Sequence, residues 1–140
     1  MPAFDMPRPT EPATPPPRVE LDPQRPCVAL CEPDALLRTL LSEWLQRADF
    51  EPLCCATAAP VPRVVLVVAD VPAPRQDGAA RIAMLRQRFP GAKVLAISGQ
   101  FMPGVCGATA AAIALGADAV LAKPFAANLF IDTVRALTGP

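Results

Sequence analysis

An acid, a hydroxyl and an amine each stand directly after an apolar run. Val64-Val65-Leu66-Val67-Val68-Ala69 ends at Asp70, and Lys93-Val94-Leu95-Ala96-Ile97 ends at Ser98-Gly99. Ala119-Val120-Leu121-Ala122 ends at Lys123-Pro124-Phe125. Open parallel α/β sheets bind ligands outside the carboxyl ends of their strands. A carboxylate there is a nucleophile or a hard metal ligand, an ammonium neutralises anionic oxygen, and a hydroxyl donates to it. Taken singly, Asp70 is equally a helix cap or turn residue, Lys123 a solvated loop residue and Ser98 a turn former. Arriving together at three strand ends, they imply a site for an anionic group.

The elements that must position them alternate from Cys27 onward. Val28-Ala29-Leu30-Cys31 reads as a first strand. Asp34 is placed to cap a helix whose Leu36, Leu37, Leu40, Leu41, Trp44 and Leu45 are expected on one face. Glu51 to Ala56 is a weaker second strand, and Val64 to Ala69 the third. A helix after Gly78 is expected to bury Ile82, Ala83, Leu85 and Phe89 and to stop at Pro90-Gly91. After the fourth strand comes an alanine-rich helix from about Val105 to Leu115, closed by Gly116, and after the fifth a last helix from Ala126 to Leu137. Apolar runs separated by amphipathic helices imply a parallel sheet covered on both faces.

One crossover is too short. Only Ala58 to Arg63 separate the second and third strands, with Pro60 and Pro62 among them. A helical crossover needs about 10–12 residues, so the second helix is shortened or missing. The sheet face there is covered either by a repositioned neighbouring helix or by something filling an apolar groove: the segment Val19-Glu20-Leu21 or a partner chain.

Composition excludes several function classes. A chain of 140 residues holds one domain, and its formal net charge is zero, which disfavours nucleic acid or a lipid surface as partner. No run approaches the ~20 apolar residues of a membrane span. The first 26 residues hold nine prolines and no apolar period, so they read as a disordered tail before a domain at 27–140. That tail lacks the apolar core of a secretory signal, which points to the cytoplasm. Of the five cysteines, Cys27, Cys31, Cys54 and Cys55 fall in predicted strands and read as small buried hydrophobes in a reducing compartment. The lack of histidine and of a Cys-x-x-Cys pair argues against a zinc site.

Val67-Val68-Ala69-Asp70-Val71-Pro72-Ala73-Pro74 with Asp77-Gly78, Ala96-Ile97-Ser98-Gly99, and Gly116-Ala117-Asp118-Ala119-Val120-Leu121-Ala122-Lys123-Pro124-Phe125 occur in that order. Together they resemble the receiver domain of two-component response regulators, from about Pro26 to the end. The resemblance implies a doubly wound five-stranded parallel α/β sheet of flavodoxin-like order 2-1-3-4-5. It implies that Asp70 takes a phosphoryl group from a phosphohistidine on a sensor histidine kinase or phosphotransfer protein. Lys123 would pair with Asp70 and then with the phosphoryl oxygens, Ser98 would hydrogen-bond one of them, and Gly99 would leave room for entry. Mg²⁺ would be held by Glu32, Asp70 and the Pro72 carbonyl, with Asp34 reaching in only if its loop bends. The peptide before Pro124 would be cis.

Three departures qualify that resemblance. The family's adjacent acid pair is Glu32-Pro33 here, followed by Asp34. The acid expected to touch the metal directly is thus replaced by proline, which weakens Mg²⁺. The aromatic reporter of the fifth strand is Val120, whose branched side chain has few rotamers. The shortened crossover is the third.

Two functions follow, and a third is set aside. The chain ends at Pro140, directly after the last helix, so the expected function is a stand-alone receiver, not an enzyme, signalling by contact with a downstream protein or by self-association. The alternative is a pseudo-receiver scaffold with weak or no phosphorylation. A haloacid-dehalogenase-like phosphatase needs a second acid two residues after the nucleophile, where Pro72 stands with no proton to give.

Overall fold

The computed structural model describes residues 25–55 and 63–139. In chain order the elements are β1 (Cys27–Cys31), α1 (Ala35–Arg47), β2 (Glu51–Cys54) and β3 (Val64–Asp70). A π-helical turn, Pro74–Gly78, runs into α2 (Ala79–Arg88). There follow β4 (Lys93–Ser98), β5 (Cys106–Gly107), α3 (Ala110–Leu115), β6 (Ala119–Ala122) and α4 (Ala127–Thr138). The sheet order is β2-β1-β3-β4-β6-β5. The first five strands in that order are parallel, as expected, with β6 in the place of the anticipated fifth strand.

Alternation along each strand decides which side chain meets which helix layer. Val28 and Leu30, Leu66 and Val68, Leu95 and Ile97, Ala119 and Leu121 share one face with Leu41 and Leu45 of α1 and Phe130 and Val134 of α4. Ala69, Val94, Ala96 and Val120 point the other way, against Ile82 of α2 and Ala112 and Leu115 of α3. Leucine, isoleucine and valine build most of the first layer's strand side, and alanine and valine the second's. Gly78, leading into α2, lies hard against α3: a Cβ there would come within 2.6 Å of the Leu115 side chain.

The sixth strand corrects one expectation. Residues 105–109 are not helical, and α3 has only six residues. Gly107 has φ +89°, outside the right-handed helix, and Thr109 is extended at the helix start. Freed from the helix, Cys106 and Gly107 pair antiparallel with Leu121 and Val120 of β6, covering what would be an open sheet edge.

The first helix also differs from its expected face. Asp34 caps it, its Oδ1 accepting from the Leu36 and Leu37 amides at 2.9 and 3.3 Å. Leu37, Leu41, Trp44 and Leu45 form the inward stripe, while Leu36 and Leu40 are exposed. At 100° per residue, Leu36 and Leu40 fall one step off that stripe. On α2, Ile82 is buried and Leu85 and Phe89 are half-buried, but Ala83 faces solvent.

Near the short crossover, Ala29 and Val67 are at most 1% exposed, and Leu85 and Phe89 pack against their cluster. On that part of the sheet the cover among the described residues comes from α2. The expected tail, the Val19-Glu20-Leu21 segment and most of the crossover lie outside the described residues.

The cysteines depart from the sequence reading. Cys31 and Cys55 are joined as a disulfide, and only Cys27 of the remaining three is buried, Cys54 and Cys106 being exposed. Position explains the pairing. Leu30 stands opposite Cys54 in the β1–β2 register, which brings Cys31 and Cys55 together on the next rung. Sequence reading placed both in strands but had no means of placing their rungs.

Candidate functional site

Three parallel strands end level with one another. Asp70 closes β3 opposite Ile97, Ser98 closes β4 opposite Ala122, and Lys123 follows β6, its N–H donating to the Ser98 carbonyl at 2.9 Å. From this edge Lys123 Nζ donates to Asp70 Oδ1 at 2.8 Å and to Glu32 Oε1 at 2.6 Å. The Lys123–Pro124 peptide is cis, as the resemblance implied.

Glu32 is the most enclosed of the three charged groups, its side chain 1% exposed against 13% for Asp70 and 23% for Lys123. An ionised carboxylate at that depth needs compensation. Lys123 supplies the charge, and the Asp34 amide donates to Glu32 Oε2 at 3.0 Å. Arg38 ties the same loop by donating to the Glu32 carbonyl at 2.8 Å. Burial by itself would lower the Lys123 pKa. Hydrogen bonds to Asp70 and Glu32, with the charges of both, outweigh it and hold the ammonium above its ordinary value.

Direct contact between Glu32 and Lys123 was not anticipated; the sequence reading gave Lys123 one acidic partner and Glu32 a metal.

Ser98 lies at the same edge, fully buried, with its Oγ accepting from the Gln100 amide at 3.0 Å. Its hydroxyl does not hydrogen-bond the acid–lysine group directly. Gly99 is open: a Cβ added there would meet nothing within 4 Å. Asp34 is not brought in, because its carboxylate is committed to the cap of α1. Asp118, within the third motif, is half-buried and structural. It accepts from the Val94 amide at 2.8 Å and pairs with Arg86, pinning the start of β4.

Two carboxylates, Glu32 and Asp70, meet at Lys123 and offer hard oxygen donors. The described residues contain no group of three or more acids, cysteines or histidines that could hold an ion. Two carboxylates fit Mg²⁺, which binds through one or two and keeps waters. They already share one ammonium, so the attraction left for a second cation is reduced.

Two neighbouring features complete the surroundings. Trp44 packs against Phe125 and Phe130, at ring-centre distances of 6.4 and 5.9 Å, two residues from Lys123 in sequence at Phe125. Beyond Pro72 and Gln100, beside α3, lies a groove of about 1020 Å³ lined by Phe101, Met102, Val105 and Leu115.

No family model and no curated protein matches the sequence. Solved structures do. A response regulator receiver protein from Burkholderia phymatum is 28% identical, over 82% of this chain and 96% of its own, with a TM-score of 0.61. Chemotaxis protein CheY4 from Vibrio cholerae is 20% identical over 81% and 98% of the two chains, with a TM-score of 0.63. A response regulator from Burkholderia pseudomallei, solved with a phosphorylated aspartic acid, a calcium ion and citrate, is 19% identical over 77% and 65%, with a TM-score of 0.60. The chain has the response-regulator receiver fold. No helix among the described residues is long and apolar enough to cross a membrane.

Proposed function

We propose that this receiver-fold chain is a phospho-acceptor signalling domain in which Asp70 takes a phosphoryl group from the phosphohistidine of a sensor kinase or phosphotransfer protein. One observation carries this reading: Lys123 bonds Asp70, a strand-end acid partly open to solvent, and the buried Glu32 holds Lys123 in place. An Asp70 oxygen attacks phosphorus, the phosphorus–nitrogen bond breaks, and its electron pair returns to the imidazole, which takes up a proton. The protein's part is positioning and charge neutralisation. Lys123 passes from the Asp70 carboxylate to a phosphoryl oxygen while staying on Glu32. Ser98 keeps the Gln100 amide and donates its hydroxyl proton to another. Gly99 leaves the entry unobstructed.

Mg²⁺, held by Glu32, Asp70 and the Pro72 carbonyl, would neutralise further phosphoryl charge. Output is a protein–protein contact, in the cytoplasm where such kinases donate, including self-association. The tail at 1–26 is read as separate from the domain at 27–140. Incubation with acetyl phosphate and Mg²⁺, followed by intact mass, tests the reading. One phosphoryl adduct is expected on the native chain and none on Asp70→Asn. Equal adducts on both would overturn it.

A scaffold without efficient phosphorylation is the second reading. It is favoured by Asp34, whose carboxylate caps a helix instead of joining the acids, and by Val120, fully buried where the resemblance expects a mobile ring. No adduct, with partner binding unchanged in Asp70→Ala, would select it.

A further inference from the structure

We propose that the Cys31–Cys55 pair is a redox-modification site that controls how tightly the neighbouring acid–lysine group is held. The proposal rests on the phospho-acceptor reading for its consequence, though the pair itself does not. Its Cα atoms are 5.2 Å apart, the separation of a bridged pair. Cys55 follows β2 and donates its N–H to the Leu30 carbonyl at 3.1 Å; Cys31 ends β1 and is bonded directly to Glu32. The bridge therefore ties the end of an edge strand to the residue preceding the buried acid. That acid in turn holds Lys123 and the Asp34 amide.

Compartment and packing favour a switch over a staple. A chain phosphorylated by an intracellular kinase works where thiols are kept reduced, and disulfides found there are mostly transient or redox-sensing. The sheet has little need of a covalent staple, since Leu30, Leu66, Leu95 and Leu121 are at most 1% exposed. Both sulfurs belong to half-buried residues, within reach of a small thiol. Cys27, by contrast, is buried, and burial with the Glu51 charge raises its thiol pKa against the opposing effect of Arg63.

A dithiol reductant supplies the electrons. Its thiolate attacks one sulfur, the disulfide bond breaks, and the other cysteine leaves as a thiolate and is protonated. The second reductant thiol then resolves the mixed disulfide, giving two cysteine thiols and one oxidised dithiol. A small disulfide oxidant reverses the exchange. Reduction releases β2 from the Glu32 loop, loosens Glu32 on Lys123 and frees Lys123 for an incoming anion.

The test uses the full chain equilibrated with excess dithiothreitol or with oxidised glutathione. Alkylation after denaturation, mapped by peptide mass, is expected to label both Cys31 and Cys55 in the first case and neither in the second. Amide shifts of Asp34 and Lys123 are expected to differ between the two forms. Beryllofluoride with Mg²⁺, followed by Trp44 fluorescence, should bind the reduced form about fivefold more tightly, at the low end of typical coupling. The double variant Cys31→Ala, Cys55→Ala should behave as reduced in either buffer. Alkylated or glutathione-capped Cys31 and Cys55 under oxidation, or unchanged Asp34 and Lys123 shifts, would overturn the proposal. Redox-dependent shifts without beryllofluoride binding in either form would uphold the switch and reject the phospho-acceptor reading.

Discussion

The two faces of the sheet are built differently. Under α1 and α4 lie leucine, isoleucine, phenylalanine and tryptophan in one continuous cluster. Under α2 and α3 lie mostly alanine and valine, divided into two smaller clusters. The first face has large buried side chains from β1, β3, β4 and β6. The second has a six-residue helix, a short crossover and an open groove. Large, continuous packing and small, divided packing thus lie on opposite sides of the same strands, and the acid–lysine group sits at their carboxyl edge.

Adjacent residues on β6 give the largest contrast. Leu121→Ala, on the α1 and α4 face, should cost about 2–5 kcal/mol of unfolding free energy through a cavity that large neighbours cannot fill. Val120→Ala, on the other face, removes only two methylene equivalents, about 1.6 kcal/mol. Denaturant unfolding of the pair measures the difference; equal losses would erase the distinction between faces.

Lys123→Met probes the carboxyl edge. It leaves Glu32 buried without its cation, a loss of about 3–5 kcal/mol. The same pair predicts a pH effect. Because the folded pKa of Lys123 lies above the ordinary 10.5, its contribution is complete below that value and is lost as pH rises through the higher folded one. The melting temperature of the native chain should fall more steeply than that of Lys123→Met above about pH 10.5. Parallel alkaline limbs would contradict the pairing.

Smaller effects follow at the loops. Asp34→Ala should cost about 1 kcal/mol, the value of a lost helix cap, with little change in Mg²⁺ affinity by titration. A large loss of Mg²⁺ affinity would return Asp34 to the metal. Gly99→Ala should change stability by less than about 0.5 kcal/mol, since no atom opposes the new methyl, yet slow phosphoryl acceptance by crowding the entry. An unchanged rate would remove Gly99 from the site.

Much of this was legible in the sequence because strand ends are marked by a change from apolar to polar residues. Asp70, Ser98 and Lys123 carry that mark, and the parallel order that brings them level follows from the resemblance. The Asp34 cap was legible because capping is local. Contacts that depend on register were not. The meeting of Cys31 with Cys55 needs the β1–β2 offset, and that of Glu32 with Lys123 joins residues 91 positions apart. The short α3 was signalled by Gly104 and Gly107, both with positive φ, but the alanine run beyond them suggested helix throughout. Leu36 and Leu40 misled because leucine is common on both sides of an amphipathic boundary.

Side-chain nitrogen resonances of lysine read the central group most directly. The Lys123 Nζ signal should shift on Asp70→Asn and again on Glu32→Gln, and in the native chain on addition of acetyl phosphate. With Asp70→Asn in place, acetyl phosphate should leave it unmoved. A signal indifferent to Asp70→Asn, or one that responds to acetyl phosphate without that acid, would contradict the assignment of Asp70 and Lys123 to one phosphoryl site.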